Sequence, residues 1–211
     1  MPPSTRRKVV TTPRKIPRQA RSRSTVATIL DAAARVLVKE GFERATTNRV
    51  AEAAGVSVGS LYQYFPSKEA LVAALIARHV DDMRALVADG LARVRALPLA
   101  LAVRTPVEIL IAAHAVDPAL HRVLMEQVPR TGRLGKLADF EHELHRLVVE
   151  GLEGRRPELR KQDLDLAAFL ATAAVEAATH AAVLYQPERL RDPAFLDEVT
   201  DLVVRYLGRD S

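Results

Sequence analysis

The segment GVSVGSLYQYFPSKEAL, residues 55–71, limits the possible folds more than any other stretch of the chain. Just before it, Thr46 and Thr47 offer N-cap hydroxyls to a short helix whose Val50, Ala51 and Ala54 fall on one face. Gly55 breaks that helix, and Ser57 caps a third one, in which Leu61 and Phe65 share the buried side at i, i+4. Pro66 stops it, Ser67 caps a fourth helix, and Glu69 sits in the first turn, where the helix dipole favours an acid. Two short helices joined by a tight glycine-containing turn form a helix-turn-helix. Aromatic residues make up only 4% of the chain, so clustering Tyr62, Tyr64 and Phe65 here calls for something to touch.

With Val56, Leu61 and Phe65 turned inward, Val58, Gly59, Gln63 and part of Tyr62 and Tyr64 are left facing outward. Gly59 puts no side chain between this helix and a target, so backbone can come close. Ser60 and the tyrosine hydroxyls are suited to donate to phosphate oxygens. Lys68 adds a positive charge beside exposed helix N–H groups, a natural phosphate seat. A plain four-helix core with tyrosines as packing groups accounts for Leu61 and Phe65. It does not account for the small, polar start of the third helix. Upstream, residues 24–40 repeat apolar positions at helical spacing, with Ser24 as N-cap, Gly41 as terminator and Phe42 folding back onto the helix.

The charge of the chain is concentrated at one end. Residues 1–30 hold eight Lys and Arg and no acid, against a net charge of +5, which leaves the remainder at −3. The Pro, Ser and Arg content of residues 1–23 predicts a disordered arm, with too few apolar residues for an amphipathic transit helix. Positive blocks of this kind meet nucleic acid by releasing counterions from phosphates.

From Ser24 to His79 the chain resembles the N-terminal domain of the TetR family of bacterial transcriptional regulators. The resemblance rests on G-F at 41–42, T-T at 46–47, A-E-A-A-G-V-S at 51–57 and L-Y-x-Y-F-x-x-K-x-x-L from Leu61 to Leu71. It implies that the third helix lies in the major groove of a double-stranded DNA operator. Thr47, Asn48, Ser57, Val58, Gly59 and Gln63 would then face bases or nearby phosphates, with Asn48 able to pair with adenine. Ser60, Tyr62, Tyr64 and Lys68 would clamp the backbone. The segment Arg14 to Arg23, with Arg18, Arg21 and Arg23 in it, is expected to enter the flanking minor groove.

Residues 81–211 differ in chemistry. Their net charge is −4 against +9 for residues 1–80, so they are not expected to wrap DNA. Helical patterns fill them and no alternating strand pattern appears. The whole chain therefore reads as all-α: a basic arm at 1–23, a DNA-binding domain at 24–80 and a helical regulatory domain at 81–211. Helices are expected near 67–95, 106–116, 118–127, 133–153, 163–184 and 193–207, with Asp117-Pro118 and Asp192-Pro193 as N-cap and N1 pairs. Segment 163–184 is apolar around most of its circumference and rich in alanine, which permits close helix approach. The resemblance implies that it pairs with 193–207 to build a homodimer interface. It also implies a small-molecule effector pocket, for which Met83, Leu86, Leu110, His114, Met125, Phe140, Leu144, Phe169 and Glu176 are candidates, each equally at home in a plain core.

Several function classes drop out. There is no cysteine, so disulfides and thiolate chemistry are excluded. No Ser-His-Asp set or Gly-rich phosphate loop appears, and no enzyme or cofactor is expected. EHELH at 141–145 fails the zinc-protease pattern because His142 and His145 are three apart. Asp139 with His142 lacks the further carboxylates of a di-iron bundle, so no metal is expected either. No apolar run is read as long enough to span a membrane, and the cytoplasm of a bacterium is the expected location. The reading is a ligand-responsive regulator, most simply a repressor. An architectural DNA-binding protein without effector and a helical metalloprotein are its rivals.

Overall fold

A computed structural model of the chain describes residues 20–94, 96–126 and 136–209. Nine α-helices occur among them: α1 (Ala20–Arg44), α2 (Thr47–Ala54), α3 (Val58–Tyr64), α4 (Lys68–Val94), α5 (Leu99–Ala115), α6 (Pro118–Glu126), α7 (Lys136–Glu153), α8 (Leu164–Tyr185) and α9 (Pro193–Leu207). Short 3-10 turns span Arg156–Glu158 and Pro187–Arg191. Among the described residues the only extended pairing is an isolated antiparallel bridge between Leu159 and Gly208. The protein is all-α.

The chain forms two compact units. The first contains α1, α2, α3, α4 as far as His79, and the end of α6 from Val123. The second contains the rest of α4, α5, α6 as far as Arg122, and α7 to α9.

In the first unit, Ile29, Ala33, Leu37, Phe42, Val50, Leu61, Phe65 and Leu75 are all buried. The helix ends follow the cap chemistry. Thr46 Oγ1 accepts from the Arg49 N–H, and Ser57 Oγ accepts from the Ser60 N–H at 3.1 Å. Ser67 Oγ accepts from the Ala70 N–H at the start of α4. Gly55 closes α2 with φ 66°, a left-handed conformation that a Cβ disfavours. One expectation fails at the N-terminus: α1 begins at Ala20, so Ser24 lies inside the helix, where its carbonyl accepts from the Thr28 hydroxyl. Residues 1–19, including Arg18, lie outside the described residues.

The second unit is built around α5, α8 and α9, whose Val103, Val107, Ile111, Ala168, Val175 and Val203 share one core. Asp117, Asp163 and Asp192 cap α6, α8 and α9 through their carboxylates. Here α5 departs from the predicted start at Pro106. It begins at Leu99 and carries Pro106 in its interior. The proline removes the donor that Ala102 O would receive, a local loss that the packed helix absorbs. Helix α8 also corrects the reading of apolar runs: it is 22 residues long and its most apolar 18-residue stretch has a mean hydropathy of 1.5, long and apolar enough by composition to cross a membrane. Its Ala167, Ala168, Ala171, Val175, Ala182 and Val183 are instead buried in the unit's own core.

Candidate nucleic-acid interface and regulatory cavity

Helix α3 is held from behind by Leu61 and Phe65, which are 0% and 2% exposed. Its other side carries Ser57, Val58, Gly59, Tyr62 and Gln63, all exposed, with Ser60 half-buried. A Cβ built on Gly59 would meet only Ser57 Oγ, at 4.0 Å, so the start of the helix is open to an approaching surface. On α2, Asn48 is exposed and Thr47 half-buried. The Thr47 and Tyr62 hydroxyls are 2.9 Å apart and joined by a hydrogen bond, so α2 and α3 hold one polar face in register. Arg23 is exposed on α1. Nothing in the sequence pattern pointed to the Thr47–Tyr62 link, because residues fifteen apart are paired only by the fold.

A second polar set fixes α2 against α1. Arg49 donates to Glu40 Oε1 at 2.8 Å and to Glu52 Oε2 at 2.6 Å. The hydrogen bond from Arg49 holds the Glu40 carboxyl below its ordinary value, and Glu40 in turn raises the guanidinium further. Arg49 is exposed and Glu40 half-buried, so the pair contributes orientation more than stability.

Two of the expected clamp residues have other tasks. Tyr64 is buried, 9% exposed, and packs on the same side of α3 as Leu61 and Phe65. The three form an i, i+3, i+4 stripe, a signal already present in the sequence. Lys68 Nζ donates to the carbonyls of Phe42 and Glu43 at 2.6 and 3.4 Å and lies 4.1 Å above the Phe42 ring. It ties the end of α1 to the start of α4. Ser57 likewise spends its hydroxyl on Ser60 Oγ at 2.8 Å while its oxygen caps α3.

The second unit contains a partly open cavity of about 150 Å³ lined mainly by α5, α7, α8 and α9. Its lining is apolar, with Val103, Val107, Leu110, Leu147 and Val175 among the wall residues; Thr172 and Arg155 are the polar exceptions. Arg155 is anchored by donation to the Val94 carbonyl at 2.7 Å and to Glu158 at 3.2 Å. Of the predicted pocket residues, only Leu110 lines this space. Leu86 and Phe169 are exposed, at 48% and 58%, so neither belongs to an interior wall. Met83 and Phe140 are buried away from it, Leu144 is half-buried, and Met125 groups with the first unit. The start of α5 at Leu99, not at Pro106, supplies Leu99, Ala102 and Val103 to this lining.

His114 and Glu176 belong to another part of the same unit. The rings of His114, His121 and His180 lie together, with centroids 4.3 to 5.4 Å apart. Burial pushes the His180 imidazole below its ordinary value. Burial also pushes the Glu176 carboxyl up, and the nearby Glu141 adds to that shift. His142 bonds the Ala138 carbonyl and His145 bonds Asp165 at 2.8 Å, so neither joins the cluster.

Comparison with known proteins agrees with this architecture. The model for the "Bacterial regulatory proteins, tetR family" matches residues 29–75, and "Tetracyclin repressor-like, C-terminal domain" matches residues 98–207. The HTH-type transcriptional repressor KstR2 of Rhodococcus jostii is 32% identical over 143 residues, covering 65% of this chain and 69% of that protein. The HTH-type transcriptional regulator YvkB of Bacillus subtilis is 44% identical over 60 residues, 28% of this chain and only 32% of its own length. In three dimensions the chain is similar to KstR2 of Mycobacterium tuberculosis, with a TM-score of 0.64 at 19% identity, over 93% of this chain and 100% of that one. Helix-turn-helix and C-terminal helical unit together place the chain in the TetR family of DNA-binding transcriptional regulators.

Proposed function

We propose that the chain is a ligand-responsive repressor that binds a palindromic operator as a homodimer. The observation that carries this reading is the open face of α3, where Val58, Gly59, Tyr62 and Gln63 project over a fully buried Leu61 and Phe65. A short helix so anchored is suited to the major groove, where Asn48 and Gln63 amides and the Thr47–Tyr62 hydroxyls meet base edges and phosphates. Arg23, with Arg18 and Arg21 before it, supplies sequence-independent attraction to the flanking backbone. Support for repression comes from KstR2 of Rhodococcus jostii, a named repressor to which the chain is similar.

A symmetric reader needs a second copy. Leu166, Phe169 and Leu170 on α8 and Leu202 on α9 are exposed at 54%, 58%, 44% and 57%, an apolar face left on the helices expected to pair. The effector is an apolar or amphipathic small molecule received by the cavity of the second unit. At about 150 Å³ that cavity holds a group the size of one small ring, so a larger effector must widen it or extend through its open side. An effector that prefers the form unable to bind DNA lowers operator affinity by that difference alone.

Selection of bound sequences from random duplex DNA tests the reading. An inverted repeat with half-sites about one helical turn apart is expected. Equal affinity for unrelated sequences would instead identify an architectural DNA-binding protein.

A further inference from the structure

The geometry points to a divalent-metal site, zinc by preference, formed by His114, His121 and His180. The three side chains come from α5, α6 and α8, all within the second unit, and their ring nitrogens lie within 4.8 Å of one another. Zinc bonded to three imidazoles at about 2.0–2.1 Å sets its donor atoms about 3.4 Å apart. The present spacing therefore closes onto an ion by side-chain rotation of about 1 Å.

Two features favour this over plain ring packing. First, His114 is nine-tenths buried and its Nδ1 bonds the Leu110 carbonyl at 2.7 Å. An Nδ1–H given to a carbonyl fixes the ring and its tautomer, the arrangement that supports a metal-ligating histidine. Second, the donors are all imidazole, a set suited to zinc and its transition-metal neighbours and not to calcium or magnesium.

Three nitrogen ligands leave a fourth position on the ion for water or for an anionic group of an incoming molecule. Bound metal also clips α8 to the 86° bend between α5 and α6. No sequence motif announces the site because each ligand is on a different helix. The inference does not depend on the DNA-binding reading, since none of its ligands belongs to the first unit.

The test uses untagged, full-length protein stripped with a chelator and titrated with Zn²⁺ by calorimetry. Expected are one zinc per chain, a rise in Tm on binding, and visible bands of a four-coordinate ion when Co²⁺ replaces zinc. His121→Ala and His180→Ala should each weaken binding on the order of 100-fold, while His142→Ala, outside the cluster, leaves it unchanged. In the wild-type protein, ¹⁵N-imidazole spectra should show three of the six histidines shifting with zinc, which reports the ligands even where a variant fails to fold. Absence of saturable one-to-one binding, no histidine shift, or undiminished affinity in folded His121→Ala and His180→Ala proteins would overturn the site.

Discussion

Gly41 and Gly55 are the described residues with positive φ, at 77° and 66°, yet they carry different strain. Gly55 has ψ 29°, the left-handed well that other residues enter at a cost of about 1 kcal/mol, and nothing lies within 4 Å of a Cβ placed there. Gly41 has ψ 166°, a region essentially closed to side chains. Urea unfolding should therefore show Gly41→Ala losing about 2 kcal/mol and Gly55→Ala about 1 kcal/mol; the reverse order would contradict the backbone geometry. Glu176 gives a pH-dependent counterpart. Its raised carboxyl is best tolerated protonated, so its contribution favours folding at low pH and is lost as pH rises through the folded value. In metal-free protein, Glu176→Gln should raise Tm by about 1–2 °C at neutral pH. The difference should close below the ordinary carboxyl value of 4.5.

At the scale of the helix, what the sequence makes legible is chemistry between near neighbours. Thr46, Ser57, Ser67, Asp117 and Asp192 cap the helices they precede, because cap and acceptor lie within a few residues. What it hides is partnership across the fold. Lys68 reads as a phosphate ligand until the Phe42 carbonyl, twenty-six residues away, is found beside it. Pro106 reads as a helix start until the packing of α5 overrides local preference. These corrections separate two roles that sequence alone merges. Lys68→Met should lower the stability of the first unit by about 1–2 kcal/mol and weaken operator binding only as far as folding suffers. Tyr62→Ala should leave Tm within about 1 °C while lowering operator affinity about tenfold, on the order of 1–2 kcal/mol for a hydroxyl and ring at the interface. Paired thermal melts and fluorescence anisotropy distinguish them, and an equal Tm loss in both would show Tyr62 to be a core residue.

For the molecule as a whole, the decisive surface is the uncovered side of α8. Its alanine-rich inner face was legible from composition, but which side chains remain outside depends on how α5 and α9 pack, and Phe169 was accordingly misplaced as a pocket residue. Replacing Leu166 and Phe169 together with Glu should give a folded monomer by sedimentation. Its operator affinity should fall on the order of 100-fold, since one half-site no longer recruits the other. That exposed face has a quantitative corollary for the cell. If two copies paired through this face read the DNA, as proposed above, and most copies are solitary, the DNA-reading species grows with the square of chain abundance, so doubling synthesis raises it roughly fourfold. Gene dosage would then set a threshold for control before any effector arrives.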